Sequence, residues 1–189
     1  MNDRLAVPGT LLLSVPQMLD PNFMHTVVLM VQHSSTGAFG LVVNRDAVTT
    51  VKMLFPEHAL LSLVNFPVHA GGPVGQDSFQ FLHCVPDAIA GGIELSDGLF
   101  LGGDLDSFAE YVATEDRAFR EVRCFVGYSG WGEGQLDGEL QIGSWLPLPL
   151  NKDYVFMEDP PEVVWRDAIR SLGGLGEGLA NQPPDISWN

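Results

Sequence analysis

The chain has 189 residues, 46% of them hydrophobic, with 24 acidic against 9 basic side chains and a formal charge of −15. That length and apolar content suit one domain with a substantial core. The charge opposes counterion-releasing contact with a polyanion, so non-specific nucleic-acid binding is not expected. The imbalance is uneven: residues 1–94 carry 7 acids and 3 bases, and residues 95–189 carry 17 and 6.

Leu5 to Val15 is as apolar as the core of a secretory signal. Asp3 beside Arg4, the Pro8-Gly9 break and the lack of a small-residue cleavage site argue against one. No stretch reaches the roughly 18 uncharged apolar residues of a membrane helix. The chain is therefore read as cytoplasmic, with no membrane partner. Gly9 to Val15 predicts a strand buried on both faces, ended by Pro16. Asp20-Pro21-Asn22-Phe23 predicts a turn. Thr26 to Gln32 and Phe39 to Val43 predict a hairpin across Ser34–Gly37. Thr49 or Thr50 should cap a short helix that runs to Phe55. Val68 to Ala70 leads into Gly71-Gly72-Pro73-Val74, and Ser78 to Val85 reads as a strand. A second hairpin, Gly92 to Gly103, should turn at Ser96-Asp97-Gly98.

Asp104 or Asp106 should cap a helix whose Leu105, Phe108, Ala109 and Val112 share one face. Arg117, Arg120 and Arg123, interleaved with acids, read as a solvated turn of mixed charge. Val122 to Val126 predicts a strand running into a glycine loop, Gly127 to Gly134, which holds Tyr128, Ser129 and Trp131. A short helix over Gln135–Ile142 and a short strand over Ser144–Leu148 follow. Pro160 or Pro161 opens the clearest helix, which ends at Leu172 with Gly173 as its stop. Residues 173–189 show no periodicity and are expected to form a flexible tail, leaving 1–172 as one domain. Strands dominate without βαβ alternation, so the fold class is α+β.

Several segments together resemble the YqgE/AlgH family of bacterial proteins. They are Gly9-Thr-Leu-Leu-Leu, Pro16, Asp20-Pro21-Asn22-Phe23, His33 through Asn44, Gly71-Gly72-Pro73-Val74, Leu82-His83, Gly127 through Gly132, Gly134-Gln135-Leu136, Glu139 and Gly143–Trp145. The resemblance spans about residues 5–172. It implies a single domain with a branched, partly barrel-like mixed sheet surrounded by short helices. It supplies no activity, cofactor or catalytic residue. Some relatives carry the label of transcriptional regulator, which suits an indirect role here.

The chemical motifs are weak. Gly127-Tyr128-Ser129-Gly130-Trp131 approaches a nucleophile elbow, but Trp131 replaces the last glycine and no His follows residue 83. Cys84 lies next to His83, and neighbours on a strand point to opposite faces. Both cysteines read as buried thiols without disulfide or metal spacing. No phosphate-binding signature accompanies the glycines, and no metal or cofactor is expected. His33 and His69 stand beside turns where a cleft would form. Were the glycine segments to converge, Asn44, Gly72, Asp104, Ser129 and Trp131 would line one pocket. The alternative is that Trp131 and Trp145 anchor a satellite core. The leading reading is a non-enzymatic protein that binds a small molecule or protein partner. A hydrolase or thiol enzyme using Ser129 or Cys84, and a direct DNA-binding regulator, are its alternatives.

Overall fold

A computed structural model describes residues 6–182. Its strands are β1 (Leu11–Ser14), β2 (Val27–Ser34), β3 (Gly37–Val42), β4 (Ala47–Thr50), β5 (Pro67–Ala70), β6 (Val74–His83), β7 (Ile93–Ser96), β8 (Leu99–Leu101), β9 (Val122–Trp131) and β10 (Trp145–Leu148). The helices are α1 (Val51–Leu54), α2 (Leu105–Thr114), α3 (Ala118–Glu121), α4 (Gln135–Gln141), α5 (Lys152–Phe156), α6 (Pro161–Ser171) and α7 (Gly174–Ala180). The strands form one open sheet in the order β10-β1-β2-β3-β9-β6-β8-β7, with β5 joining at β9 and β4 joining at β5. The fold is α+β, and its sheet branches. Among the described residues the pairings are antiparallel except that of β5 with β9.

Alternation along the first strands explains their unbroken apolar sequence. Leu11, Leu13, Val27, Leu29 and Leu41 pack with Val164, Trp165, Ala168 and Ile169 of α6 and with Ala180 of α7. Leu12, Val28, Met30 and Val42 point the other way, toward Trp131, Leu136 and Trp145. A strand covered on both faces needs no polar residue on either. A third cluster lies under α2 and gathers Phe66, Val68, Phe81, Phe108, Val122 and Cys124.

The sheet divides at β9. Along one edge β9 pairs with β6; its other edge is shared. Cys124–Val126 pair with β5, and Ser129–Trp131 pair with β3. Gly71 sits in the crotch of the fork, its N–H donating to the Val126 carbonyl and its own carbonyl accepting from Val42 N–H. The backbones approach closely here. A Cβ on Gly127 would stand 2.5 Å from the Gly72 carbonyl oxygen, and one on Gly72 would overlap the Tyr128 carbonyl. Gly127 also has a φ of 72°, in the left-handed region. The expected glycine loop is thus corrected: from Gly127 to Trp131 the chain is still strand, and the glycines let two backbones touch.

Other expectations are met or revised locally. The Asp97-Gly98 turn has both residues at positive φ, 47° and 74°, as a twisted two-residue hairpin requires. β6 begins at Val74, earlier than Ser78, with an irregularity between Val74 and Phe79. Helix α7 stands where no periodicity predicts one, and Ala180 is buried. Residues 183–189 of the expected tail lie outside the described residues, as do residues 1–5 of the apolar N-terminal segment. No helix among the described residues is long and apolar enough to cross a membrane.

Candidate functional site

Two adjoining hollows share Arg45. The first, about 120 Å³, lies between β5, β9 and the turn from α5 to α6, and is lined by Asn44, Arg45, His69, Arg123, Glu158 and neighbours. The second, about 190 Å³, lies among Pro21, Asn22, Arg45, Gly72, Pro73 and Gln76. Segments far apart in sequence meet there because the fork of the sheet brings the start of β4, the end of β5 and β9 together.

Asn44 builds the first wall. Its Oδ1 accepts from Val27 N–H at 2.7 Å, and its Nδ2 donates to the carbonyls of His25 and Pro161 at 2.9 Å each. The side chain therefore ties β2 to the start of α6 and has its polar atoms satisfied. Arg45 donates from Nη2 to the carbonyls of Asn22 and Met24 at 3.3 and 3.2 Å. Burial lowers its pKa from the ordinary arginine value.

The floor is Arg123, whose side chain is only 5% exposed. Its Nη1 donates to the Met157 carbonyl at 3.1 Å and faces Glu158 Oε1 at 3.6 Å, while Nε has no hydrogen-bond partner among the described residues. Its Nη2 lies 3.2 Å from His69 Nδ1, which is itself 2.8 Å from the Arg45 carbonyl. A carbonyl oxygen only accepts, so Nδ1 carries the proton and donates to Arg45. It then has no lone pair for Arg123. Burial, with the Arg123 charge second, pulls the His69 pKa down to about 4 and keeps the ring neutral near pH 7.

The sequence placed Arg123 in a solvated turn, and the structure corrects this. Arg117 does make such contacts, to Glu115 and Glu121, but Arg123 is the second residue of a buried strand. The signal was present: an arginine inside Val122-Arg-Cys-Phe-Val126 interrupts an otherwise apolar run. Arg45, beside Asn44, carried no comparable signal.

The five residues expected to share a pocket occupy different surroundings. Asn44 lines the first hollow and Gly72 the second. Asp104 is exposed and caps α2, accepting from Ser107 N–H at 2.8 Å, which holds its carboxyl below the usual range. Its segment lies against Ala90 and Gly92. Ser129 is fully buried at the fork, its hydroxyl donating to the Gly71 carbonyl at 3.3 Å. Trp131 is a packing anchor, stacked on Phe23 and edge-on to Trp145. Both indole N–H groups donate to Glu139 Oε2, at 2.9 and 2.7 Å.

The remaining nucleophile and histidine candidates have structural partners. Cys124 is buried, whereas Cys84 is half-buried; burial raises both thiol pKa values, Glu121 adding to the rise at Cys84. His83 Nε2 donates to the Gly102 carbonyl at 3.1 Å and Nδ1 accepts from Val85 N–H at 3.3 Å. His33 contacts the Ala6 carbonyl and Asp137. His69 does line a hollow, as its place beside the glycine turn suggested. No group of three or more His, Cys, Asp or Glu side chains among the described residues is arranged to hold a metal ion.

Fold and hollows together describe an α+β domain organised on a branched sheet. The model of the AlgH-like family matches residues 11–176, and the chain belongs to that family. It is 39% identical over 176 residues to a UPF0301 protein of Chlorobium limicola, covering 93% of this chain and 92% of that one. A UPF0301 protein of Bacteroides thetaiotaomicron is 32% identical, with coverage of 100% and 94%. Among solved structures, AlgH from Pseudomonas aeruginosa aligns with a TM-score of 0.69 at 27% identity, over 97% of each chain. Protein DIP2367 from Corynebacterium diphtheriae shares the fold, with a TM-score of 0.70 at 23% identity over 93% and 92% of the two chains.

Proposed function

We propose that this is a cytoplasmic binding protein rather than a catalyst, taking a small molecule or a partner's side chain in the hollows around Arg45. Any influence on transcription is indirect. The observation that carries this reading is Arg123, a buried guanidinium that lines a hollow and whose Nε has no hydrogen-bond partner among the described residues. Buried polar groups are nearly always satisfied, and one that is not marks a place where a partner can be gained. The enzyme reading lacks comparable support. Ser129 is buried and committed to a backbone carbonyl, and the raised Cys84 pKa disfavours the reactive thiolate.

The test is a titration of the ¹⁵N-labelled full chain with a library of small polar metabolites, followed by amide shifts. Compounds that move Arg45, Ala47, His69, Ala70 and Glu158 together support the proposal. Shifts confined to other surfaces, or none across the library, overturn it.

A further inference from the structure

Arg123 is short of negative charge. Among the described residues the carboxylate within 4 Å of it is that of Glu158, at 3.6 Å, beyond hydrogen-bonding distance and 59% exposed. Taking a guanidinium out of water costs several kcal/mol unless close charged partners and hydrogen bonds offset it. The Met157 carbonyl is a neutral partner, and the His69 ring has no lone pair on its near side. The buried cation therefore has one loosely held, solvated counter-charge at the mouth of a cavity.

Resting on the binding function proposed above, we infer that the anchoring group of the ligand is a carboxylate, which displaces Glu158 and pairs with Arg123. A guanidinium presents parallel N–H donors in a planar fork that matches a carboxylate. Glu158 already brings that same group to the entrance, so its side chain occupies the ligand's place when none is bound. The rim narrows the class further. Asp46, Glu158 and Asp159 border the hollow and are exposed, so its depth is positive and its edge negative. That arrangement opposes a phosphate dianion and favours a single carboxylate, more so one beside an ammonium group. A cavity of about 120 Å³ suits a head group of few atoms. The ligand class is a small monocarboxylate of the amino-acid kind.

The experiment titrates the full chain with acetate, glycine, inorganic phosphate and methylammonium at constant ionic strength, reading amide shifts at Arg45, His69, Cys124 and Glu158. Acetate and glycine should shift these amides, glycine at the lower concentration. Glu158→Gln, on an exposed turn, should tighten acetate binding about three- to tenfold because the competing charge is gone. Arg123→Lys keeps the charge but loses the fork, and should weaken binding at least about tenfold. Phosphate binding more tightly than acetate would overturn the carboxylate assignment, as would an unchanged affinity in Glu158→Gln. Response to methylammonium alone would also overturn it while leaving a binding function in place. Silence from every probe and from the wider metabolite library would remove both.

Discussion

His69 links the hollow to pH. The unfolded chain's imidazole titrates near 6.5, whereas in the fold its pKa falls to about 4. Between those values the unfolded state binds a proton that the native state refuses, so the contribution is full above pH 6.5 and is lost as pH falls toward 4. In His69→Gln, the stability lost between pH 7 and pH 4.5 should shrink by about 2 kcal/mol, measured by urea unfolding at both pH values. An equal loss in both proteins would mean that His69 is not the group responsible. Glu139 is the other residue with outsized leverage. One carboxylate oxygen accepts from two largely buried indoles, so Glu139→Ala leaves two donors without their acceptor. It should cost about 2–3 kcal/mol and red-shift Trp emission. Glu139 is recognisable in sequence only as part of the family resemblance, because its partners Trp131 and Trp145 meet it through the packing of α4.

Strand β9 shows what an element can hide. Its sequence reads as a strand that dissolves into a glycine loop, since glycine ordinarily weakens strands. Pairing with β3 and β6 overrides that preference, and the missing side chains are what let Gly72 and Gly127 pass each other. Gly72→Ala should therefore destabilise the domain by more than about 3 kcal/mol, because the Cβ meets backbone that cannot yield without opening the fork. Gly138 is the contrasting case, a helix-interior glycine with nothing within 4 Å of an added Cβ. Gly138→Ala should raise stability by about 0.5–1 kcal/mol. Urea midpoints for the pair separate the two roles; similar effects would contradict the fork as the reason for the glycine at position 72. Signals carried by near neighbours were legible beforehand: the Asp97-Gly98 turn, the Asp104 cap and the Gly173 stop each depend on a few adjacent residues.

For the whole molecule, a charge of −15 leaves the native state under its own repulsion. Thermal midpoints should rise by a few degrees between about 10 mM and 300 mM NaCl, as screening shortens the reach of that repulsion. A midpoint that falls with salt would show that specific ion pairs, such as Arg166 with Glu162, outweigh it. Composition and short-range pattern determine much here: the acidic surface, the α+β class, most strands and the clearest helix follow from residues within a few positions of one another. Tertiary structure alone decided that the sheet, whose branching the family resemblance implies, forks at β9, that Arg123 is buried, and that Asn44, Arg45 and His69 meet in one place. Those depend on backbone pairings between segments tens of residues apart, and local preference carries no information about which distant strand will supply the partner.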